Sequence, residues 1–126
     1  MVTWILWALI LAMLAWMGFN YLRIRRAAKI VDNEEFEALI RTGQLIDLRD
    51  PAEFHRKHIL GARNIPSSQL KTSLAALRKD KPVLLYENQR AQRVINAALY
   101  LKKQGFSEIY ILSYGLDSWK GKVKTS

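Results

Sequence analysis

Ile46-Asp47-Leu48-Arg49-Asp50-Pro51-Ala52-Glu53-Phe54, running on to His58-Ile59-Leu60-Gly61-Ala62-Arg63-Asn64-Ile65-Pro66, is the stretch on which the fold turns. Leu45-Ile46-Asp47-Leu48 reads as a buried strand. Asp47 and Arg49 stand two apart at its end and therefore share a face. A carboxylate and a guanidinium in that position are tolerable only when paired with each other or bonded to loop backbone. Arg49-Asp50-Pro51 breaks the strand, and Pro51 suits the first turn of a short helix through Phe54. Residues 58–66 read as a loop, with Gly61 permitting a backbone conformation that other residues resist and Pro66 ending it.

Working outward, strands and helices alternate over short connections. Lys29-Ile30-Val31 is a short apolar piece that fits a first strand. Asp32-Asn33-Glu34-Glu35 then has the form of a helix start, a capping residue followed by acids at the positive end of the dipole. Phe36, Leu39 and Ile40 give this helix its buried stripe, and Thr42-Gly43 closes it. Leu70, Leu74 and Leu77 predict an amphipathic helix. Pro82 introduces Val83-Leu84-Leu85-Tyr86, a run of the kind found in central parallel strands. A polar loop follows, then a helix with Val94, Ala97, Ala98 and Leu101 on its apolar face, ended by Gly105. Ile109-Tyr110-Ile111-Leu112 is the last expected strand, and residues 115–119 a final short helix carrying Trp119, whose large ring would tie it down. The pattern predicts an α/β domain: an open, mostly parallel sheet with helices on both faces.

Residues 1–22 have a different character. They contain no charged side chain and as a helix would reach about 33 Å, enough to cross a hydrocarbon core. Trp4 and Trp7 near one end, and Trp16, Phe19 and Tyr21 near the other, fit aromatic belts at two interfaces. A cleaved signal would need a basic start and a small-residue cleavage site; the chain begins Met1-Val2-Thr3-Trp4, and the run ends Asn20-Tyr21-Leu22-Arg23. Arg23, Arg25, Arg26 and Lys29 come directly after the run, while no basic side chain precedes it. The positive-inside rule then predicts a single-pass protein of the cell membrane, its N-terminus outside and its C-terminal domain cytoplasmic. The expected organisation is an anchor at 1–22, a basic juxtamembrane linker at 23–29, a domain at 30–122 and a tail at 123–126.

The net charge is +9, all of it contributed at or beyond Arg23. The basic residues are scattered, with no basic helix and no aromatic platform, so contact with an anionic membrane surface explains them better than nucleic acid does. The chain has no cysteine, which excludes disulfides, zinc–thiolate sites and a thiolate nucleophile. His55 and His58 lie three apart without a carboxylate set to complete a metal cage, and neither a metal nor a cofactor is expected.

Three stretches together resemble the rhodanese-like family. The 46–66 stretch is similar to that family's opening motif, with Lys57 in place of a usual glycine and Leu60 in place of a usual proline. The strand at 83–86 leads, as in the family, into a loop and helix. Gly105-Phe106-Ser107-Glu108-Ile109-Tyr110-Ile111-Leu112, then Gly115-Leu116-Asp117-Ser118-Trp119-Lys120-Gly121, is similar to its closing motif. The resemblance spans residues 30–122.

It implies that the chemistry belongs to the loop after Tyr86, which in rhodaneses reads Cys-x-x-Gly-x-Arg and carries a persulfide on the cysteine. Here that stretch is Glu87-Asn88-Gln89-Arg90-Ala91-Gln92-Arg93. Aligned from the strand, Glu87 takes the cysteine position; aligned from the helix, Asn88 does, with Ala91 and Arg93 matching the glycine and arginine. A carboxylate is a poor sulfur acceptor and a carboxamide no nucleophile, so no catalytic residue is expected. Asp47, Arg49 and His58 are expected to support the loop. Arg90 and Arg93 near a helix N-terminus sit against the dipole, which hints at an anionic partner or at pairing with Glu87.

These residues point to a membrane-anchored, catalytically inactive domain that binds an unidentified protein or an anionic group at the cytoplasmic face through residues 87–93. An alternative is an accessory in sulfur or persulfide transfer that uses a partner's cysteine. A third possibility is a membrane-surface scaffold whose basic face contacts anionic lipid.

Overall fold

The structure, a computed structural model, describes residues 1–89 and 92–125, and of Ile24 only the backbone. In chain order the elements are helix α1 (Val2–Ala27), strand β1 (Lys29–Val31), helix α2 (Asn33–Ile40), strand β2 (Gln44–Asp47), helix α3 (Pro51–Arg56), strands β3 (Lys57–Ile59) and β4 (Arg63–Asn64), strand β5 (Val83–Tyr86), helix α4 (Gln92–Lys103), and strands β6 (Ile109–Leu112) and β7 (Val123–Thr125). Five strands form one parallel sheet in the order β1-β6-β5-β2-β4, and β3 pairs with β7 in a separate antiparallel ribbon.

The alternation of side chains along the central strands divides the core in two. Ile46, Val83, Leu85, Ile109 and Ile111 face one cluster, which α4 completes with Val94, Ala97, Ala98 and Leu101. Leu45, Leu84, Tyr86 and Leu112 face the other, covered by Phe36 of α2. Trp119 packs edge-on against Phe36, centroids 5.9 Å apart, so the closing segment is held where its ring predicts. Asp32 caps α2 by accepting the Glu35 N–H at 2.9 Å.

Four local expectations change. The Leu70, Leu74, Leu77 spacing yields two 3₁₀ turns, Ser67–Thr72 and Leu74–Ala76, rather than an α-helix. Three apolar residues at helical spacing are satisfied by two tight turns that bury Leu70 and Leu77 against α4's side of the sheet. The 58–66 loop contains β3 and β4. Val123–Thr125, read as a tail, is β7, zipped to β3 with Ile59 opposite Val123. Finally, α1 runs through the expected linker to Ala27, and both Ala27 and Ala28 are buried.

Among the described residues α1 is the one helix long and apolar enough to cross a membrane, at 26 residues about 39 Å. Its last turns lie against the C-terminal end of α4.

Candidate functional site

The parallel strands deliver their C-terminal ends to one edge of the sheet, where β2 and β5 run directly into the loops that carry polar residues. Three charged side chains are buried there: Asp47, Arg49 and Glu87. Asp47 closes β2. Arg49 folds back so that its Nε lies 3.1 Å from each Asp47 carboxylate oxygen and its Nη2 2.8 Å from Oδ2. The Arg49 backbone N–H also donates to Asp47 Oδ1 at 2.8 Å. Of the two arrangements that burial allows, the pair is made. Arg49 goes further: Nη2 donates to the Lys57 carbonyl, and Nη1 to Asn88 Oδ1 at 3.1 Å. One guanidinium thus ties β2, β3 and the loop after β5 together. Burial works against its charge, but the bonds and the charge of Asp47 outweigh that and raise its pKa.

Glu87 is the first residue after β5. Its carboxylate pairs with Arg93 in the first turn of α4, while Oε2 is buried with no hydrogen-bond donor among the described residues. Arg93 is half exposed, and its charge, unfavourable at a helix N-terminus, is offset by Glu87. Asn88 sits between two anchors, accepting from Arg49 and approaching Glu53 Oε2 at 3.4 Å through its amide nitrogen. Gln89 reaches Asp117 at 3.4 Å and Gln92 bonds Asn96 at 2.8 Å. Arg90 and Ala91 lie outside the described residues. His58 is committed elsewhere: its ring stacks on Phe54 at 3.8 Å and Nδ1 lies 2.8 Å from the Phe54 carbonyl, holding α3 to β3.

Two supports were not singled out from sequence. Residues 115–117 grip the loop from the far side, with the Leu116 N–H donating to the Glu87 carbonyl at 2.8 Å and the Asp117 N–H to the Asn88 carbonyl at 3.0 Å. Gly115 has φ +73°, and a Cβ there would stand 2.4 Å from the Asn88 oxygen. The only advance signal was the glycine itself. The second is Tyr86, fully buried, whose hydroxyl accepts the Ile59 N–H at 3.1 Å. Burial, with the Asp47 charge beside it, pushes the Tyr86 phenol well above its ordinary range.

The sign of that shift gives an expected result. A phenol whose folded pKa is raised contributes stability that is intact below its unfolded value, about 10, and lost as pH rises beyond it. Stability should fall above pH ~10 by up to about 1.4 kcal/mol per unit from this group, and Tyr86→Phe should flatten the decline. Denaturant midpoints measured from pH 8 to 11 check this; an unchanged slope in the variant contradicts it.

A groove of about 420 Å³ opens beside Arg93, between α4 and the 3₁₀ turns, with Ser67, Lys71, Asn96 and Tyr100 on its walls. Residues 32–122 match the family model of the rhodanese-like domain. The chain belongs to the rhodanese-like family. The uncharacterized protein YqhL of Bacillus subtilis is 48% identical to it over 113 residues, 90% of this chain and 89% of the other. Thiosulfate sulfurtransferase GlpE of Stutzerimonas stutzeri is 36% identical over 95 residues, covering 73% and 84%. The crystal structure of a rhodanese-related protein from Thermoplasma volcanium superposes with a TM-score of 0.70 at 23% identity, over 78% of this chain and 99% of that one, a likeness of fold. This rhodanese-like domain is thus related to sulfurtransferases and has no cysteine.

Proposed function

We propose that this chain is a membrane-anchored, non-catalytic rhodanese-like domain that uses residues 87–93 to bind a protein or an anionic group at the cytoplasmic face. The observation that carries the reading lies at the end of β5: a buried glutamate paired with Arg93, in a chain without a thiol. A carboxylate held in an ion pair neither accepts sulfur nor leaves room for a free nucleophile. The supporting structure around it is nonetheless complete, from the Asp47–Arg49 pair to the backbone bonds of residues 115–117. Support of this kind around Glu87 and Asn88 favours a role in contact. The half-exposed Arg93 and the neighbouring Lys71 suit a partner with negative charge.

Sulfur relay is the second reading, favoured by a relative bearing the name thiosulfate sulfurtransferase at 36% identity. In it the partner brings the cysteine and this domain only docks it.

Two measurements on the full chain in detergent test the proposal. Thiosulfate–cyanide turnover should equal that of the protein-free reaction; sustained turnover by pure protein defeats the claim of inactivity. Crosslinked capture from membranes should yield specific partners that are lost in a folded Arg90→Glu/Arg93→Glu variant and weakened by Lys71→Glu. Partners that survive both substitutions place binding elsewhere. A captured partner joined through a reactive cysteine would favour sulfur relay.

A further inference from the structure

A cavity of about 510 Å³ lies away from Glu87 and Asn88, where the last turns of α1 meet the end of α4. Its polar wall consists of Arg23 and Arg26 from α1 and Lys102 and Lys103 from α4, and its apolar wall includes Phe19, Leu22 and Leu99. No acidic residue lines it, and none of the four cations pairs with a carboxylate among the described residues. Four like charges brought together by two elements repel unless an anion lies among them. The C-terminal dipole of α4 offsets only part of that.

The position of the cavity bears on the kind of anion. Phe19 and Leu22 stand about 26 to 30 Å along the helix axis from Val2, which matches the thickness of a hydrocarbon core. With α1 across a bilayer, the apolar wall reaches the headgroup boundary and continues into the lipid-facing surface of α1. A soluble anion would use the cations and leave that wall bare; a phospholipid uses both.

We propose that this groove binds one anionic phospholipid, its phosphate held by Arg23, Arg26, Lys102 and Lys103 and its acyl chains laid along Phe19 and Leu22. The assignment rests on the reading of α1 as a membrane anchor. Because the cations come from both anchor and domain, the lipid clasps one to the other.

The test is native mass spectrometry of the full chain released from nanodiscs of phosphatidylcholine containing a minor share of phosphatidylglycerol. Phosphatidylglycerol should be retained in preference, and Lys102→Ala/Lys103→Ala should lower that preference about tenfold or more. Lys120→Ala/Lys122→Ala, which removes the same charge elsewhere, should leave it unchanged. Equal retention of both lipids, or an equal loss in the two variants, overturns the site while the anchor stands. Displacement by inorganic phosphate at constant ionic strength shows a free-anion site and overturns the lipid assignment. Extraction of the chain from membranes by carbonate overturns the anchor, and this proposal with it.

Discussion

Asp47→Ala is expected to cost about 3–5 kcal/mol, a large share of what a domain of this size has. The loss is not that of one hydrogen bond. Asp47 supplies both oxygens to Arg49, and without them a buried guanidinium keeps only the Lys57 carbonyl and the Asn88 amide oxygen, both uncharged. The penalty is that of a charge stranded away from water. Asp47→Leu/Arg49→Met should therefore recover much of the loss, because apolar residues of similar bulk remove the stranded charge as well as its partner. Thermal unfolding of the single and double variants in the same detergent checks both statements. Equal destabilisation in the two would mean that packing, and not charge, decides this site. The double variant also loses the bond to Asn88, so partner capture should weaken even where stability returns.

Gly115→Ala is expected to destabilise by about 3 kcal/mol or more from a single methyl group. The backbone at φ 73°, ψ −169° belongs to a region that only glycine occupies without strain, which costs about 1–3 kcal/mol for another residue. The methyl carbon would also press to 2.4 Å on the Asn88 oxygen and 2.6 Å on that of Glu87, adding an overpacking cost of similar size. Both contacts are with backbone, so no side chain can swing aside. The chain must instead shift where residues 116 and 117 donate to the loop. Amide hydrogen exchange should therefore accelerate at Leu116 and Asp117 before it does in β5. Uniform acceleration across the sheet would show that the glycine supports the fold at large and not the loop.

The sheet was legible because its central strands are short apolar runs whose neighbours are fixed by the parallel pattern. Residues 83–86 and 109–112 needed nothing beyond that. The capped start of α2 and the apolar stripe of α4 declared themselves through spacing. That Asp47 and Arg49 would be paired or bonded to loop backbone could be read as well, since burial demands one or the other; the structure has both, the pair and the Lys57 carbonyl. What was not legible depends on partners distant in sequence. Strands β3 and β7 are three residues each and exist only through one another, 64 residues or more apart in the chain. No periodicity reaches across such a gap. The loop is intermediate: pairing of Glu87 with Arg90 or Arg93 was one of the alternatives the charges offered, but that Arg93 makes it, and that Gly115 stands against the Glu87 and Asn88 carbonyls, comes from packing that spacing alone does not specify.

A single residue, Ala28, separates the last turn of α1 from β1, and both Ala27 and Ala28 are buried. A domain joined in this way has no flexible tether to α1 and cannot tumble about it. With α1 in the bilayer, Glu87 and Arg93 keep one bearing relative to the membrane, at the end of α4 opposite the one that meets α1, about 16 Å away along that helix. Under the proposed function, a partner confined to the same membrane would search in two dimensions for a target already facing a set direction. The orientational entropy that two free proteins surrender on docking has in large part been given up when the chain inserts. Modest contacts at the loop suffice under those conditions, and severing the anchor should weaken the encounter without altering any atom of the binding surface.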